Sequence, residues 1–245
     1  MQPPLIYAHR GVSAHAPENT ISAFLLAIEH GADGIEFDIK VTRDGKVIVL
    51  HDQTLQRTTT GSGDFKNFTY DELRKLDAGS KFSTKYATEK LPTLEEVFEA
   101  VGNRIGINIE LTNYATPGDD LIEKVAKILS AVKDTSKVMF SSFNWGNLKK
   151  ARKLCPEIPC GLLALPGIAG WFSRSTFTGS VPHEAVHPYF ADVSANTVKS
   201  WHQRGYKVNI WTVNEPKEML RLKDIGVDMI MTDDPALAKS TLRSS

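Results

Sequence analysis

The sequence predicts an α/β protein folded as one distorted (β/α)8 barrel. Three observations carry that prediction. Strand-like and helix-like segments alternate over the whole chain without a linker. The 245 residues fit one large α/β barrel or two smaller domains, and the missing linker favours the barrel. No strand is followed by GxGxxG, the usual mark of the open doubly wound sheet that is the structural alternative.

Leu5 to Ala8 is a short apolar run without alternation, the pattern of a buried strand, and it ends in His9-Arg10-Gly11. A helix follows Pro17-Glu18-Asn19-Thr20, with Asn19 or Thr20 as its cap and Ala23, Phe24, Ala27 and Ile28 as its apolar stripe. Gly31 closes it. From Gly34, Ile35, Phe37 and Ile39 alternate with Glu36, Asp38 and Lys40, so a strand there puts both carboxylates on one face. Asp44-Gly45 predicts a two-residue hairpin turn into the apolar run Val47 to Leu50. Partners would then have numbers summing to about 89, setting His51 opposite Asp38. An exposed hairpin with a solvated acidic face is the bland alternative.

The polar stretch from about Gln53 to Lys90 is long for a strand-to-helix connection and reads as an inserted lid or small subdomain, with a short helix over Tyr70 to Leu76. Thr93 and Glu96 match a capping box opening the next helix, to about Ala100. Ile105 to Leu111 is a strand with Asn108 and Glu110 on one face. A helix from about Asp119 to Val132 follows, then a strand over Val138 to Phe140 ending in Ser141-Ser142 and a helix over Asn144 to Leu154. Pro159 to Leu165 is a strand candidate leading into a glycine-rich, aromatic loop over Gly167 to Gly179. A strand is expected between Ala185 and Val193. Thr197 to Arg204, Tyr206 to Val213, Pro216 to Ile225 and Val227 to Met231 read as helix, strand, helix and strand, before a final helix capped by Thr232-Asp233-Asp234-Pro235. That makes nine strand-like segments, one beyond the barrel's need, and the hairpin supplies the surplus.

Composition narrows the function. Lys plus Arg and Asp plus Glu are 29 each, so no basic excess points to nucleic acid. Cys155 and Cys160 make neither a disulfide framework nor a thiolate metal cluster, and a reducing compartment is the simpler reading. The start MQPPLIYAHRG lacks a basic segment and a long apolar one, and no apolar stretch reaches membrane-spanning length, so the expected location is cytoplasmic.

Barrel active sites lie at the carboxyl ends of the strands. That rule gathers His9, Arg10, Glu36, Asp38, Glu110, Ser142 and Trp211. Three carboxylates offer hard oxygen ligands that suit Mg²⁺, Mn²⁺ or Ca²⁺ better than zinc. His9 and His51 suit the acid-base work of phosphoryl transfer, and Arg10 offers a planar fork for phosphate oxygens. His187 is a further candidate to line the pocket.

An ordered set of motifs carries a family resemblance: AHRG at 8–11, PENT at 17–20, GADGIEFDI at 31–39, TRDG at 42–45, HD at 51–52, RTT at 57–59, LPTLEEVF at 91–98, NIE at 108–110, SSFN at 141–144, HP at 187–188, WTVN at 211–214 and GVDMIMTDDP at 226–235. Over almost its whole length the chain resembles the glycerophosphodiester phosphodiesterase family, related in fold to phosphatidylinositol-specific phospholipases. The resemblance implies that Glu36, Asp38 and Glu110 hold one divalent cation, Mg²⁺ or Ca²⁺. It implies His9 and His51 as general acid and base, with Arg10 on the phosphate. Their places at or near strand ends, rather than the resemblance, make His187 and Trp211 further candidate substrate contacts. The implied reaction cleaves a small glycerophosphodiester to sn-glycerol 3-phosphate and an alcohol, through attack of the glycerol 2-hydroxyl and a cyclic phosphate. One departure stands out: the family usually has lysine two residues after the strand-end glutamate, and here that residue is Thr112.

Two other functions fit parts of the chain. A lysophospholipase D-like enzyme would need an apolar entrance, for which Leu162, Leu163, Leu165, Ile168, Trp171 and Phe172 are candidates. A non-catalytic metal- or phosphodiester-binding barrel would keep the fold and lack the chemistry. No stable membrane association is expected.

Overall fold

A computed structural model describes residues 2–171 and 180–243. Phe172, one of the entrance candidates, and most of the aromatic loop lie outside the described residues. Eight parallel strands close into a barrel: β1 (Leu5–His9), β2 (Gly34–Val41), β4 (Gly106–Leu111), β5 (Val138–Ser142), β6 (Cys160–Leu163), β7 (Ala185–His187), β8 (Lys207–Ile210) and β9 (Met229–Thr232). Closure comes from β1, which pairs with β2 on one side and β9 on the other. The surplus strand β3 (Val47–Val49) is antiparallel to β2 and outside the ring. The barrel wall therefore takes the first arm of the hairpin.

Helices α1 (Ile21–Glu29), α3 (Leu94–Val101), α4 (Leu121–Leu129), α5 (Trp145–Leu154), α6 (Ala195–Gln203), α7 (Pro216–Asp224) and α8 (Pro235–Arg243) alternate with the strands, and α2 (Tyr70–Leu73) lies in the insertion. Local chemistry starts them where expected. Thr20 caps α1 by accepting from the Ala23 amide, and Thr93 with Glu96 forms the capping box of α3.

Alternation along β2 sorts its residues. Ile35, Phe37 and Ile39 face outward into the main apolar core with Phe24, Val97 and Ile109. Glu36, Asp38 and Lys40 are left for the interior. A layer of Tyr7, Met139, Ala185, Met229 and Met231 seals the floor. Tyr7 fits only because Gly34 and Gly106 lack side chains: a Cβ at either would sit 2.2 or 2.3 Å from its phenol. Polar inward residues therefore collect above this plug, at the carboxyl end.

The hairpin corrects one expectation. The pairs are Ile39↔Val49, Lys40↔Ile48 and Val41↔Val47, so partner numbers sum one lower than predicted. The turn has three residues, Arg43-Asp44-Gly45, because Thr42 already pairs with Lys46 and Gly45 takes φ +86°. The extra residue shifts the register, which exchanges faces on the return strand. Leu50 rather than His51 lies against Asp38, its amide donating to the Asp38 carbonyl at 2.9 Å, and His51 falls in the loop beyond.

The insertion has its own apolar cluster of Leu55, Phe65, Leu73 and Ala78, built onto Ile48, Leu50 and Leu91. The expected helix there is one turn, Tyr70–Leu73, capped by Thr69 with Glu72. The first residues of the insertion, Gln53 and Thr54, border the open end of the barrel beside Asp52.

Candidate active site

A cavity of about 480 Å³ opens at that end, lined among others by His9, Arg10, Glu36, His51, Glu110 and Trp211. At its inner edge, ligand oxygens of Glu36, Asp38 and Glu110 all lie within 4.8 Å of one another. Glu36 and Asp38 are on β2, and Asp38 is directly paired with Glu110 on β4. Both β2 carboxylates lie mid-strand rather than at its end, since β2 runs on to Val41. Burial, then Asp38, then Glu110 push the Glu36 carboxyl far above its ordinary range. Burial and Asp38 raise Glu110 to about 8. Such a set is costly unless it shares protons or takes a cation. Three hard oxygens this close suit a divalent cation, so the residues present fit one.

Neighbours hold the carboxylates in place. The Arg10 amide donates to Glu36 Oε2 at 3.2 Å, and Asn19 Nδ2 donates to Asp38 Oδ2 at 3.1 Å. Both Arg10 and Asn19 sit at positive φ, 56° and 59°. Non-glycine residues seldom adopt that conformation, and it turns both toward β2. Tyr114 Oη donates to Glu110 Oε1 at 2.9 Å. Arg10 Nε lies 3.5 Å from Asp38 Oδ2, and its Nη1 donates to Glu18 at 3.0 Å.

The two histidines are held alike. His9 Nδ1 bonds Asp233 Oδ1 at 2.7 Å, and His51 Nδ1 bonds Asp52 Oδ1 at 2.6 Å. With Nδ1 engaged, Nε2 is the ring nitrogen left for the cavity. His9 Nε2 lies 4.0 Å from Glu36 Oε2, while His51 is the more exposed of the two. Although burial works to raise the Asp233 carboxyl, bonds from His9, Asn214 and Ser13 hold it below its ordinary value. Arg57 and then His51 bring Asp52 down to about 2. Arg57, from the insertion, grips both Asp52 and Glu18.

Not every expected residue reaches the cavity. His187 is fully buried beneath it, its Nε2 bonded to Asn209 at 2.9 Å and its ring against Gly161. Burial depresses its imidazole to about 3. The ring misses the cavity because β7 ends at His187 with the imidazole turned into the barrel packing. Its carbonyl does contribute, by accepting Trp211 Nε1 at 2.8 Å and fixing that indole at the cavity wall. Ser142 turns its hydroxyl onto the Leu111 carbonyl, and Ser141 lines the cavity instead. Of the apolar entrance set, Leu162 and Leu163 are buried, and Leu165, Ile168 and Trp171 are exposed.

Sequence reasoning missed Asp233, Asp52, Glu18, Arg57, Asn19 and Tyr114 as parts of the site. Asp233, Asp52, Glu18, Asn19 and Arg57 stood inside quoted motifs, and the signal available was their type, a carboxylate, amide or guanidinium in a motif shared with, or close to, an expected site residue or strand end. Lys40 was missed as well. Burial pulls its ammonium below the ordinary lysine value, against the influence of Asp38, Glu110, Asp52 and Asp119.

A parallel barrel with buried carboxylates and carboxylate-held imidazoles at its open end is the arrangement of a barrel hydrolase. The Glycerophosphoryl diester phosphodiesterase family model matches residues 9–237, and the chain belongs to that family. It is accordingly an enzyme, a phosphodiesterase for glycerophosphodiesters, which removes the non-catalytic barrel from consideration. A glycerophosphodiester phosphodiesterase of Caldanaerobacter subterraneus is 40% identical over 232 residues, 94% of each chain. One from Bacillus altitudinis is 37% identical, again over 94% of each. Among solved structures, a phosphodiesterase of Oleispira antarctica in complex with the product sn-glycerol-3-phosphate superposes with a TM-score of 0.90 at 31% identity, covering 98% of this chain and 97% of that one. The family is divalent-metal dependent in general, and the acidic cluster is in keeping with that. No described helix is long and apolar enough to cross a membrane.

Proposed function

We propose that the chain hydrolyses small glycerophosphodiesters to sn-glycerol 3-phosphate and an alcohol, using His9 and His51 for proton transfer. The observation that carries this reading is the pairing of two carboxylate-held imidazoles with three clustered carboxylates around one cavity. The product bound in the Oleispira relative supports the substrate class.

Glu36, Asp38 and Glu110 would hold one divalent cation, Mg²⁺ or Ca²⁺. When bound, it supplies charge that favours attack at phosphorus and acidifies a nearby hydroxyl. The chain's own groups then divide the work. His9 Nε2, nearest the carboxylates, takes the proton of the glycerol 2-hydroxyl as that oxygen attacks phosphorus. His51, on the outer side, gives a proton to the departing alkoxide, and a cyclic phosphate results. In the second half the roles reverse: His51 takes a proton from water and His9 returns one to the 2-oxygen. Asp233 and Asp52 keep each ring oriented and stabilise its protonated form. Arg10 presents its guanidinium to the phosphate, and Trp211 forms a wall for the organic part of the substrate.

This reading treats residues 1–245 as one catalytic domain, with the insertion of about 53–90 closing part of the mouth. Free Cys155 and Cys160 are in keeping with a cytoplasmic setting. A small polar substrate calls for no stable membrane association.

Exposed Leu165, Ile168 and Trp171 favour a second reading, cleavage of lysophospholipids. Steady-state kcat/KM on glycerophosphocholine and on lysophosphatidylcholine, with and without chelator, tests both. The expected result is cation-dependent release of sn-glycerol 3-phosphate with preference for the water-soluble diester. A preference for the lysolipid overturns the first reading.

A further inference from the structure

Lys40 is a cavity-lining cation that forms no ion pair among the described residues. It stands on β2 two residues beyond Asp38, on the same inward face, and is 2% exposed. Among the described residues, no carboxylate comes within ion-pair distance of its Nζ. The ammonium instead donates to the carbonyl and hydroxyl oxygens of Thr112, at 3.1 and 3.2 Å, with the Phe65 ring centroid 5.5 Å away. Thr112 is shaped for this: its hydroxyl donates to the Ile39 carbonyl at 2.7 Å, which leaves a lone pair for Lys40. Arg10, by contrast, is shared between Glu18 and Asp38.

A buried charge is costly unless it is paired as well as hydrogen-bonded. Its direct partners are two neutral oxygens and an aromatic face, and the carboxylates of Asp38, Glu110, Asp52 and Asp119 act on its charge only from beyond ion-pair distance. An ammonium has three donors and Thr112 takes two. Lys40 and Thr112 line the same cavity as His9, Arg10, Glu110 and His51. Lys40 also lies one inward step nearer the mouth than the carboxylate cluster.

We propose that Lys40 is a phosphate-binding residue of this site, its Nζ contacting a non-bridging oxygen of the phosphodiester, with Thr112 as the residue that aims it. This assignment rests on the substrate class proposed above. It also accounts for threonine at 112. Position 112 follows the pair Ile39↔Leu111, so Lys40 and residue 112 stand side by side on neighbouring strands. Lysine at either position would serve the same oxygen, and two would repel.

The test uses the whole chain loaded with Mg²⁺. Lys40→Met keeps the apolar stem and removes the charge, and Lys40→Gln keeps a donor for Thr112. The double variant Lys40→Met/Thr112→Lys moves the ammonium to the adjacent strand. Kinetics on glycerophosphocholine are measured beside calorimetric binding of sn-glycerol 3-phosphate and of Mg²⁺, and melting temperature. Both single variants should lose roughly 10- to 100-fold in kcat/KM and in product affinity, the scale of a charge-assisted hydrogen bond. Mg²⁺ affinity and melting temperature should not fall, and the double variant should recover at least about tenfold. Product affinity within about twofold of the parent in either single variant overturns the proposal. So does failure of both single variants to fold, or an activity loss explained by lost Mg²⁺ or stability that Thr112→Lys does not restore. If the parent fails to cleave the diester, the substrate reading falls, and product binding still decides the role of Lys40.

Discussion

Asp233 accepts the His9 Nδ1 hydrogen bond at 2.7 Å, joining the loop after the last strand to the end of the first across 224 positions of chain. The same carboxylate receives Ser13 Oγ and Asn214 Nδ2, so it is itself held in place. Replacing Asp233 with Asn keeps the shape and removes the charge that favours a protonated His9. We expect kcat to fall roughly 10- to 100-fold, with Mg²⁺ affinity unchanged. Unaltered kcat in the Asp233→Asn enzyme would show that His9 needs no carboxylate.

The His51 side depends on the insertion. Arg57 clamps Asp52, which holds His51, and reaches Glu18, which holds Arg10. Its guanidinium is about half exposed (47%), so the ion pairs contribute little to stability. Arg57→Ala is therefore expected to shift the melting temperature by about 2 °C or less while lowering kcat/KM by about tenfold. Melting curves beside steady-state rates check it, and a large loss of stability at constant activity would make the clamp purely architectural.

Removing either imidazole separates acid-base chemistry from binding. His9→Ala and His51→Ala should each cost about 10²- to 10⁴-fold in kcat and leave calorimetric Mg²⁺ binding nearly intact. A substrate lacking the glycerol 2-hydroxyl should turn over very poorly in the parent enzyme. Brisk cleavage of that analogue would replace the cyclic route with direct attack by water.

Protons and cation compete for the acidic cluster. Glu36 and Glu110 hold protons in the folded, cation-free chain that the unfolded chain releases near 4.5, and Glu110 keeps its proton to about 8. Their contribution to stability is complete below the unfolded value and is lost as pH rises through the folded one. The cation-free protein should thus lose stability between about pH 5 and pH 8, whereas Mg²⁺ affinity rises over the same window. Calorimetric unfolding with and without Mg²⁺ at both ends of the range should show a larger gain at the alkaline end. An equal gain at both ends would mean that the carboxylates ionise normally.

Replacing Glu36, Asp38 and Glu110 together with alanine should abolish Mg²⁺ binding measured by calorimetry. Retention of the parent's affinity would place the cation elsewhere.

The alternation of apolar and polar residues from Ile35 to Lys40 determined by itself that Glu36 and Asp38 share a face, because side chains in a strand point alternately to opposite sides. Strand-helix alternation determined the barrel, and a barrel brings strand ends together, so His9, Arg10 and Glu110 were legible as neighbours. The hairpin register was not, since a three-residue turn and a two-residue turn both accommodate Asp44-Gly45 and only pairing energy over the whole strand chooses. Nor was the burial of His187, because a residue ending a strand can turn to the cavity or to the packing below it. Partners distant in sequence, His9 with Asp233 and Arg57 with Glu18, were equally out of reach. Sequence specifies local periodicity and the chemical type of each side chain. Which types meet depends on closure of the barrel and on how the insertion folds back over it, and those follow from burial summed over the whole chain.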